Sequence, residues 1–161
     1  MEKATFGGGC FWCTEAIFKR LKGVKEVVSG YSGGTMKEPS YTLVSTGETG
    51  HAEAIQITYD PDAISYSTLL DVFFATHNPT TLNQQGADVG SQYRSVIFFH
   101  TQEQKELSEK AIARFEEEKK YTNPVITQVL KYEQFYKAED YHQQYVEKGG
   151  AAACHIRRKK K

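Results

Sequence analysis

Strand and helix patterns alternate along this chain, and their order limits the folds open to it. Runs with apolar residues at every second position predict strands, whereas apolar residues spaced three and four apart predict helices. The strands are predicted at residues 3–6, 24–31, 52–59, 95–99 and 125–130, and the helices at residues 11–22, 65–77 and 101–120. This order predicts a two-layer α+β fold with a ferredoxin-like (split βαβ) core and an added helix and strand.

The last thirty residues show little periodicity. Residues 138–148 predict one short helix within an otherwise long and irregular C-terminal segment. The small residues at 149–153 precede Cys154, which predicts a mobile arm at 149–161 that ends in the basic tail 157–161. For a chain of 161 residues we expect a single domain spanning 1–161 that includes this arm.

The overall charge argues against two classes of partner. Twenty basic and twenty acidic residues cancel, so the surface has no general attraction for nucleic acid or for anionic lipid. No apolar run reaches the roughly 18 residues that a membrane span needs, and the N-terminus lacks the pattern of a secretory signal. We therefore expect a cytoplasmic protein, monomeric, that binds neither nucleic acid nor a membrane.

Cys10 is the residue that the sequence singles out for chemistry. It follows Gly8-Gly9 at the start of a predicted helix, and Cys13 lies three residues later. A helix N-terminus presents unpaired N–H groups and a partial positive charge, which favour a thiolate nucleophile. Phe11 and Trp12, between the cysteines, either fill the core or line a pocket beside the thiol. The alternative is that both cysteines are buried structural residues.

A thiolate nucleophile needs a second group that handles protons, and Glu53 is the candidate. It lies near the start of a predicted strand, in phase with Ile55 and Ile57, so its carboxyl group should be partly desolvated. Desolvation favours the neutral acid, which can donate a proton to a leaving oxygen. The alternative is that Glu53 lies at the strand edge and points to water.

Other chemistries also fit three cysteines in a reducing compartment. The four ligands of a zinc site could be Cys10, Cys13, Cys154 and His155. A thioredoxin-like oxidoreductase also carries a CxxC motif at a helix start, but after an earlier strand and helix, whereas here the motif begins at residue 10. A cysteine hydrolase would pair Cys10 with a histidine such as His51 or His142, for which no local signature is present.

Four short motifs follow one another along the chain. They are Gly-Cys-Phe-Trp at 9–12, Gly-His-Ala-Glu at 50–53, Asp88 followed by Gln-Tyr-Arg-Ser at 92–95, and Ala-Glu-Asp-Tyr-His-Gln-Gln-Tyr at 138–145. Each alone is weak, but four in this order over nearly the whole chain are highly specific. Together they resemble the peptide methionine sulfoxide reductase A family. The resemblance implies a catalytic domain that reduces the S epimer of methionine sulfoxide, free or in oxidised proteins, to methionine.

The resemblance also assigns roles to individual residues. Cys10 would attack the sulfoxide sulfur while Glu53 protonates the departing oxygen. The substrate-binding residues that the resemblance implies are Phe11, Trp12, Tyr41, Asp88 and Tyr93. The two tyrosines would hydrogen-bond the sulfoxide oxygen, the two aromatics inside the CxxC motif would hold the substrate methyl group, and the aspartate would help orient the substrate.

The resemblance further implies a recycling step. Oxygen transfer would leave Cys10 as a sulfenic acid, which condenses with a nearby thiol. Cys154 matches the resolving cysteine of the family, and thioredoxin would reduce the resulting disulfide, so that the protein itself needs no cofactor. Cys13 stands where many relatives carry glycine, and it could attack the sulfenic acid directly or relay the disulfide outward. The sequence leaves both assignments open.

Overall fold

The computed structural model describes residues 1–143, which form a mixed α/β fold on a six-stranded sheet. The strands are β1 (Glu2–Gly8), β2 (Val24–Ser32), β3 (Ala52–Tyr59), β4 (Gln84–Gln85), β5 (Asp88–Val89), β6 (Ser95–Phe99), β7 (Gln128–Lys131) and β8 (Phe135–Lys137). The α-helices are α1 (Phe11–Lys19), α2 (Tyr41–Ser45), α3 (Tyr66–Ala75) and α4 (Gln102–Glu117). Single turns of 3-10 helix lie at Ser91–Tyr93 and Asp140–His142.

The strand order of the large sheet is β7-β6-β1-β3-β2-β8, and β4 and β5 form a separate two-stranded ribbon. β1 lies in the interior of the sheet, antiparallel to both β3 and β6. Phe6 pairs with Ile55 and Gly8 pairs with Ser95. The end of β1 therefore lies beside the start of β3 and the start of β6, and the chain enters α1 from this end of the sheet.

The helices cover one face of the sheet. Phe6 of β1 is completely buried, and its ring centroid lies 4.9 Å from that of Phe73 in α3 and 5.7 Å from that of Phe18 in α1. Full burial of such a side chain contributes roughly 1.5–3 kcal/mol, so these rings fix both helices against β1. The opposite face has a smaller cluster in which Tyr132 and Phe135 pack on buried strand residues.

All five predicted strands and all three predicted long helices are present; the strands at 52–59 and 95–99 have the predicted ends, and the others have shifted ends. The first helix was expected to reach residue 22 but ends at Lys19, because Gly23 turns the chain with φ of +98°. The fifth predicted strand starts at Gln128 instead of residue 125, because the Ile126 N–H donates to the carbonyl of Pro79 at 2.8 Å, outside the sheet. The sequence did not predict α2, the β4–β5 ribbon or β8.

The predicted helix at 138–148 is wrong over its described part. Ala138 extends β8 instead, since its N–H donates to the Ser29 carbonyl at 2.9 Å, and the turn at Asp140–His142 is 3-10 helix. The Gln143 side chain then bonds both the N–H and the carbonyl of Ser29, each at 2.9 Å. Pairing with β2 thus replaces the local helix. The predicted arm at 149–161, with Cys154, lies outside the described residues.

Within residues 1–143, no helix has the length and apolar character that crossing a membrane requires.

Candidate active site

Cys10 occupies the N-cap of α1, as its position after the glycines predicts. Gly9 turns the chain with φ of +98°, and a Cβ there would come within 2.8 Å of Gln85. The carbonyl of Cys10 accepts the N–H groups of Cys13 at 3.1 Å and Thr14 at 3.3 Å, which starts the helix. Cys10 is a free cysteine and is partly exposed. The residue therefore lies partly open to solvent at the end of the sheet.

Glu53 lies beside Cys10 and is buried, so the alternative in which it points to water is wrong. Its side chain is 1 % exposed, and its Oε1 accepts the N–H of Phe11, the residue after Cys10, at 3.2 Å. Burial raises the pKa of Glu53 to about 8; the Phe11 N–H opposes this shift and the charge of Asp88 adds to it. The carboxyl group is mostly protonated at neutral pH.

The second carboxyl oxygen of Glu53 has no hydrogen-bond partner among the atoms of residues 1–143. A buried, unsatisfied polar atom costs free energy, typically about 1–3 kcal/mol. Such atoms in native proteins frequently belong to functional sites. A protonated carboxyl group with one oxygen held and the other free can donate a proton to a ligand.

Tyr41, Asp88 and Tyr93 come from three separate elements and lie around Glu53. Burial raises the pKa of Tyr93, and the charges of Glu53, Tyr41, Asp88 and Cys10 raise it further. Burial also raises the pKa of Tyr41, again with Glu53 and Cys10 contributing. Both phenols remain protonated near neutral pH and can donate hydrogen bonds. The structure therefore brings the sequence-predicted polar residues together at one end of the sheet.

An aromatic wall, made of Phe11, Trp12, Tyr41 and His142, lies beside the thiol. Phe11 is fully buried and Trp12 is partly exposed. The ring of Tyr41 lies 6.4 Å from that of Phe11, 6.2 Å from that of Trp12 and 4.4 Å from that of His142, between centroids. Phe11 thus belongs to the core, and Trp12 presents an apolar surface next to Cys10.

Tyr31 and Glu139 have no site role predicted from the sequence, and His142 is predicted only as a partner of Cys10 in the hydrolase alternative. The Tyr31 hydroxyl donates to Glu139 Oε1 at 2.9 Å, and the Tyr41 N–H donates to Oε2 at 3.0 Å. Trp12 Nε1 donates to His142 Nδ1 at 3.0 Å. Glu139 and His142 belong to the motif at 138–145, so that motif was the available signal. Tyr31, in β2, had none.

Bonds from Arg94 and His51 fix the chain before β3. Arg94 donates to the carbonyl of Gly50 and to that of Ser91, each at 2.9 Å. His51 Nδ1 accepts the Gly34 N–H at 3.0 Å, and its Nε2 lies 2.7 Å from the carbonyl of Met36. Both ring nitrogens of His51 are therefore engaged by backbone, which argues against its pairing with Cys10 as a hydrolase base.

Cys13 is buried, at 2 % exposure, one helical turn after Cys10. It packs with Ala16, Trp12 and Cys10 in a small cluster. Cys154 and His155, which the zinc alternative requires, lie outside the described part of the chain. Over residues 1–143, no group of three or more His, Cys, Asp and Glu side chains is arranged to hold a metal ion.

Comparisons with known proteins agree with this geometry. The family described as peptide methionine sulfoxide reductase matches residues 2–161. A peptide methionine sulfoxide reductase MsrA of Sulfolobus acidocaldarius is 55% identical over 148 residues, which are 92% of this chain and 83% of that protein. The structure of methionine sulfoxide reductase A of Corynebacterium diphtheriae superimposes with a TM-score of 0.88 at 30% identity, covering 92% of this chain and 74% of that one.

A second similar structure includes a partner. The crystal structure of Mxr1 from Saccharomyces cerevisiae in complex with Trx2 has a TM-score of 0.62 and 26% identity, and covers 89% of this chain and 84% of that one. Because the family match spans nearly the whole sequence, and the relatives match over most of their own length, the conclusion does not depend on one motif. The chain belongs to the peptide methionine sulfoxide reductase family.

Proposed function

We propose that this enzyme reduces the S epimer of methionine sulfoxide, free or in oxidised proteins, with Cys10 as nucleophile and Glu53 as acid. The Cys10 sulfur attacks the sulfoxide sulfur, and the oxygen takes a proton from Glu53. The bond between the two sulfurs and the S–O bond of the sulfoxide then break as the hydroxyl group passes to the Cys10 sulfur, which leaves Cys10 as a sulfenic acid and releases the thioether of methionine. Cysteine is thereby oxidised by two electrons, and the sulfoxide is reduced by two.

One observation carries this proposal: Glu53 is buried, its Oε2 lacks a partner within residues 1–143, and its Oε1 accepts the N–H next to Cys10, while burial raises its pKa to about 8. A sulfoxide oxygen cannot leave as a bare dianion, so it must be protonated during thiolate attack. The free position on Glu53 matches that requirement. A charged or fully bonded carboxylate would not supply the proton.

Substrate binding is proposed for the residues around this pair. Tyr41 and Tyr93 donate hydrogen bonds to the sulfoxide oxygen, and their raised pKa values support this because both phenols stay protonated. Trp12 holds the methyl group with the buried Phe11 packed behind it, and Asp88 orients the substrate. The position of Phe11 and Trp12 in the aromatic wall supports that assignment.

An assay in which the two sulfoxide epimers are kept apart tests the proposal. We expect methionine to form from the S epimer and not from the R epimer, with a dithiol as reductant. Reduction of insulin disulfides serves as the control for a thioredoxin-like activity. Activity on insulin without activity on either sulfoxide would overturn the proposal.

We propose that Cys154 resolves the sulfenic acid and that thioredoxin reduces the resulting disulfide, so that the protein holds no cofactor. The complex of Mxr1 with Trx2 supports this for a related protein. Cys13 is the alternative resolving residue because it lies one helical turn from Cys10. Its burial limits direct access by a second protein.

Cys154→Ser separates the two resolving roles. The variant should still form one equivalent of methionine per enzyme, because Cys10 and Glu53 are untouched, while turnover driven by thioredoxin becomes slow. Cys13→Ser is the matched control and should keep that turnover. Normal recycling in Cys154→Ser, together with slow recycling in Cys13→Ser, would assign the role to Cys13. Product per enzyme in a single turnover, and steady-state rate, are the two measurements.

The rate of the reduction step should fall as the pH rises through about 8. Burial raises the pKa of Glu53 in the folded protein from its ordinary 4.5 to about 8, so the protonated form of the acid is lost as the pH rises through about 8.

The same shift makes the free energy of unfolding fall as the pH rises from about 4.5 to 8, since the carboxyl group of the unfolded chain ionises first. Single-turnover rates and denaturant melts measure both effects. Glu53→Gln should lack both trends, and an unchanged stability profile in this variant would contradict the assignment.

We also propose a ferredoxin-like (split βαβ) core for this single catalytic domain. The neighbouring order β6-β1-β3-β2, with α1 and α3 as the two connecting helices, supports it. β7, β8 and α4 are additions to that core. A cytoplasmic monomer completes the proposal, and size-exclusion chromatography with light scattering tests the oligomeric state.

A further inference from the structure

The indole of Trp12 is held by a histidine from the far end of the described chain. Trp12 Nε1 can donate a hydrogen bond but cannot accept one, and it donates to His142 Nδ1 at 3.0 Å. His142 is 1 % exposed. Since Nδ1 must accept this bond, the neutral ring carries its proton on Nε2. The bond therefore fixes both the indole orientation and the tautomer of the histidine.

Glu139 lies on the opposite side of the same ring. Its Oε1 is 4.0 Å from His142 Nε2, which has no closer hydrogen-bond partner within residues 1–143. Both oxygens of this carboxylate are already engaged, one by the Tyr31 hydroxyl and the other by the Tyr41 N–H. The carboxylate faces the Nε2–H side of the ring, so its charge favours the tautomer that leaves Nδ1 free to accept from Trp12.

The histidine ring lies in the centre of the aromatic wall. Its centroid is 4.4 Å from that of Tyr41, 5.2 Å from that of Phe11 and 5.7 Å from that of Trp12. Like Tyr41, Trp12 is a partly exposed member of the wall. The orientation of the Trp12 indole therefore sets the shape of the apolar surface beside Cys10. Within the wall, the hydrogen bond to His142 Nδ1 holds the indole in that orientation.

We propose that His142 is a positioning residue for substrate binding: its Nδ1 holds the Trp12 indole as the surface for the substrate methyl group, and the charge of Glu139 favours the tautomer that this bond requires. This rests on the proposed function, in which Trp12 contacts that methyl group. An apolar surface that binds the substrate equally well in the ground state and in the transition state affects KM more than kcat. His142 therefore acts through Trp12 and does not touch the reacting atoms.

Two substitutions of His142 by neutral amide residues distinguish this positioning role from a general role in packing. His142→Asn places an amide oxygen on Cγ, where Nδ1 is attached, whereas His142→Gln places its amide one bond farther out, nearer to Nε2. We expect His142→Asn to keep kcat/KM within about threefold of the parent, and His142→Gln to lose roughly tenfold, mainly through KM. Equal losses in both variants, or a larger loss in His142→Asn, would overturn the proposal.

Fluorescence gives a readout that does not depend on activity. Trp12 is the single tryptophan of the chain, so emission in the absence of substrate reports on its surroundings alone. The emission maximum should shift in His142→Gln and stay near the parent value in His142→Asn. An unshifted maximum in His142→Gln overturns the positioning role even when the sulfoxide reductase activity is confirmed. His100→Gln, a change in a histidine stacked on Tyr132, is the matched control for loss of stability.

A double variant tests whether the effect passes through the indole. Trp12→Phe removes the donor, so adding His142→Gln to it should cause no further loss in kcat/KM. Losses that multiply in Trp12→Phe with His142→Gln would show an independent role and contradict the proposal. Circular dichroism supplies the folded fraction to which each rate is normalised.

Discussion

Cys10→Ser should abolish the reduction of methionine sulfoxide, with a loss of at least about 10⁴-fold, the scale seen when a covalent nucleophile is removed. A serine hydroxyl is not ionised near neutral pH, and its oxygen cannot take up the sulfoxide oxygen as the cysteine sulfur does when it becomes a sulfenic acid. The measurement is methionine formed per enzyme from the S epimer. The substitution is nearly isosteric at the N-cap of α1, where serine is a favoured residue.

The matched control is Cys13→Ser, which makes the same change one helical turn away. It should still form at least one equivalent of methionine per enzyme, because Cys13 is buried and Cys10 keeps its place at the helix start. Multiple turnover by Cys10→Ser would exclude Cys10 as the nucleophile. Loss of the first turnover in Cys13→Ser alone would transfer that role to Cys13.

Glu53→Gln should slow the reduction step by about 10²- to 10⁴-fold, which is the usual contribution of a general acid. The amide can still accept the Phe11 N–H through its oxygen, so the loop before α1 should keep its geometry. It cannot deliver an acidic proton to the sulfoxide oxygen. Substrate affinity should change little, and a single-turnover titration separates binding from rate.

Glu15→Gln is the matched control for this substitution. Glu15, in α1, is also a buried acidic residue, at 2 % exposure. It accepts a hydrogen bond from the Ser29 hydroxyl of β2 at 3.3 Å. Glu15→Gln should leave the reduction rate within about threefold, since Glu15 has no role in the proposed chemistry. An unchanged rate in Glu53→Gln would remove that residue as the acid.

The sequence located Cys10 and Glu53 because each depends on local pattern. The glycines before Cys10 and the helical spacing after it placed the thiol at an N-cap. The strand phase placed Glu53 with Ile55 and Ile57, and all three are buried. Both predictions need only the 2.0 and 3.6 residue periods of regular structure.

The rest of the site depends on pairing between distant segments, which a local pattern does not encode. Glu139 and His142 reach the site because β8 pairs with β2, and β8 has only three residues with little hydrophobic alternation. Tertiary contact with Ser29 replaced the predicted helix at 138–148 over its described part. The motif at 138–145 marked this segment as relevant through resemblance, but gave no geometry.

The interior position of β1 has a consequence for the order in which a growing chain becomes active. β1 and Cys10 leave the ribosome before the strands that flank β1, which end at Tyr59 and Phe99, and before the histidine beside Trp12, which is residue 142. Pairing between such distant segments is slow compared with local structure. During synthesis the thiol is therefore present before Glu53 and most of the aromatic wall, and the site is complete only when the later segments have emerged.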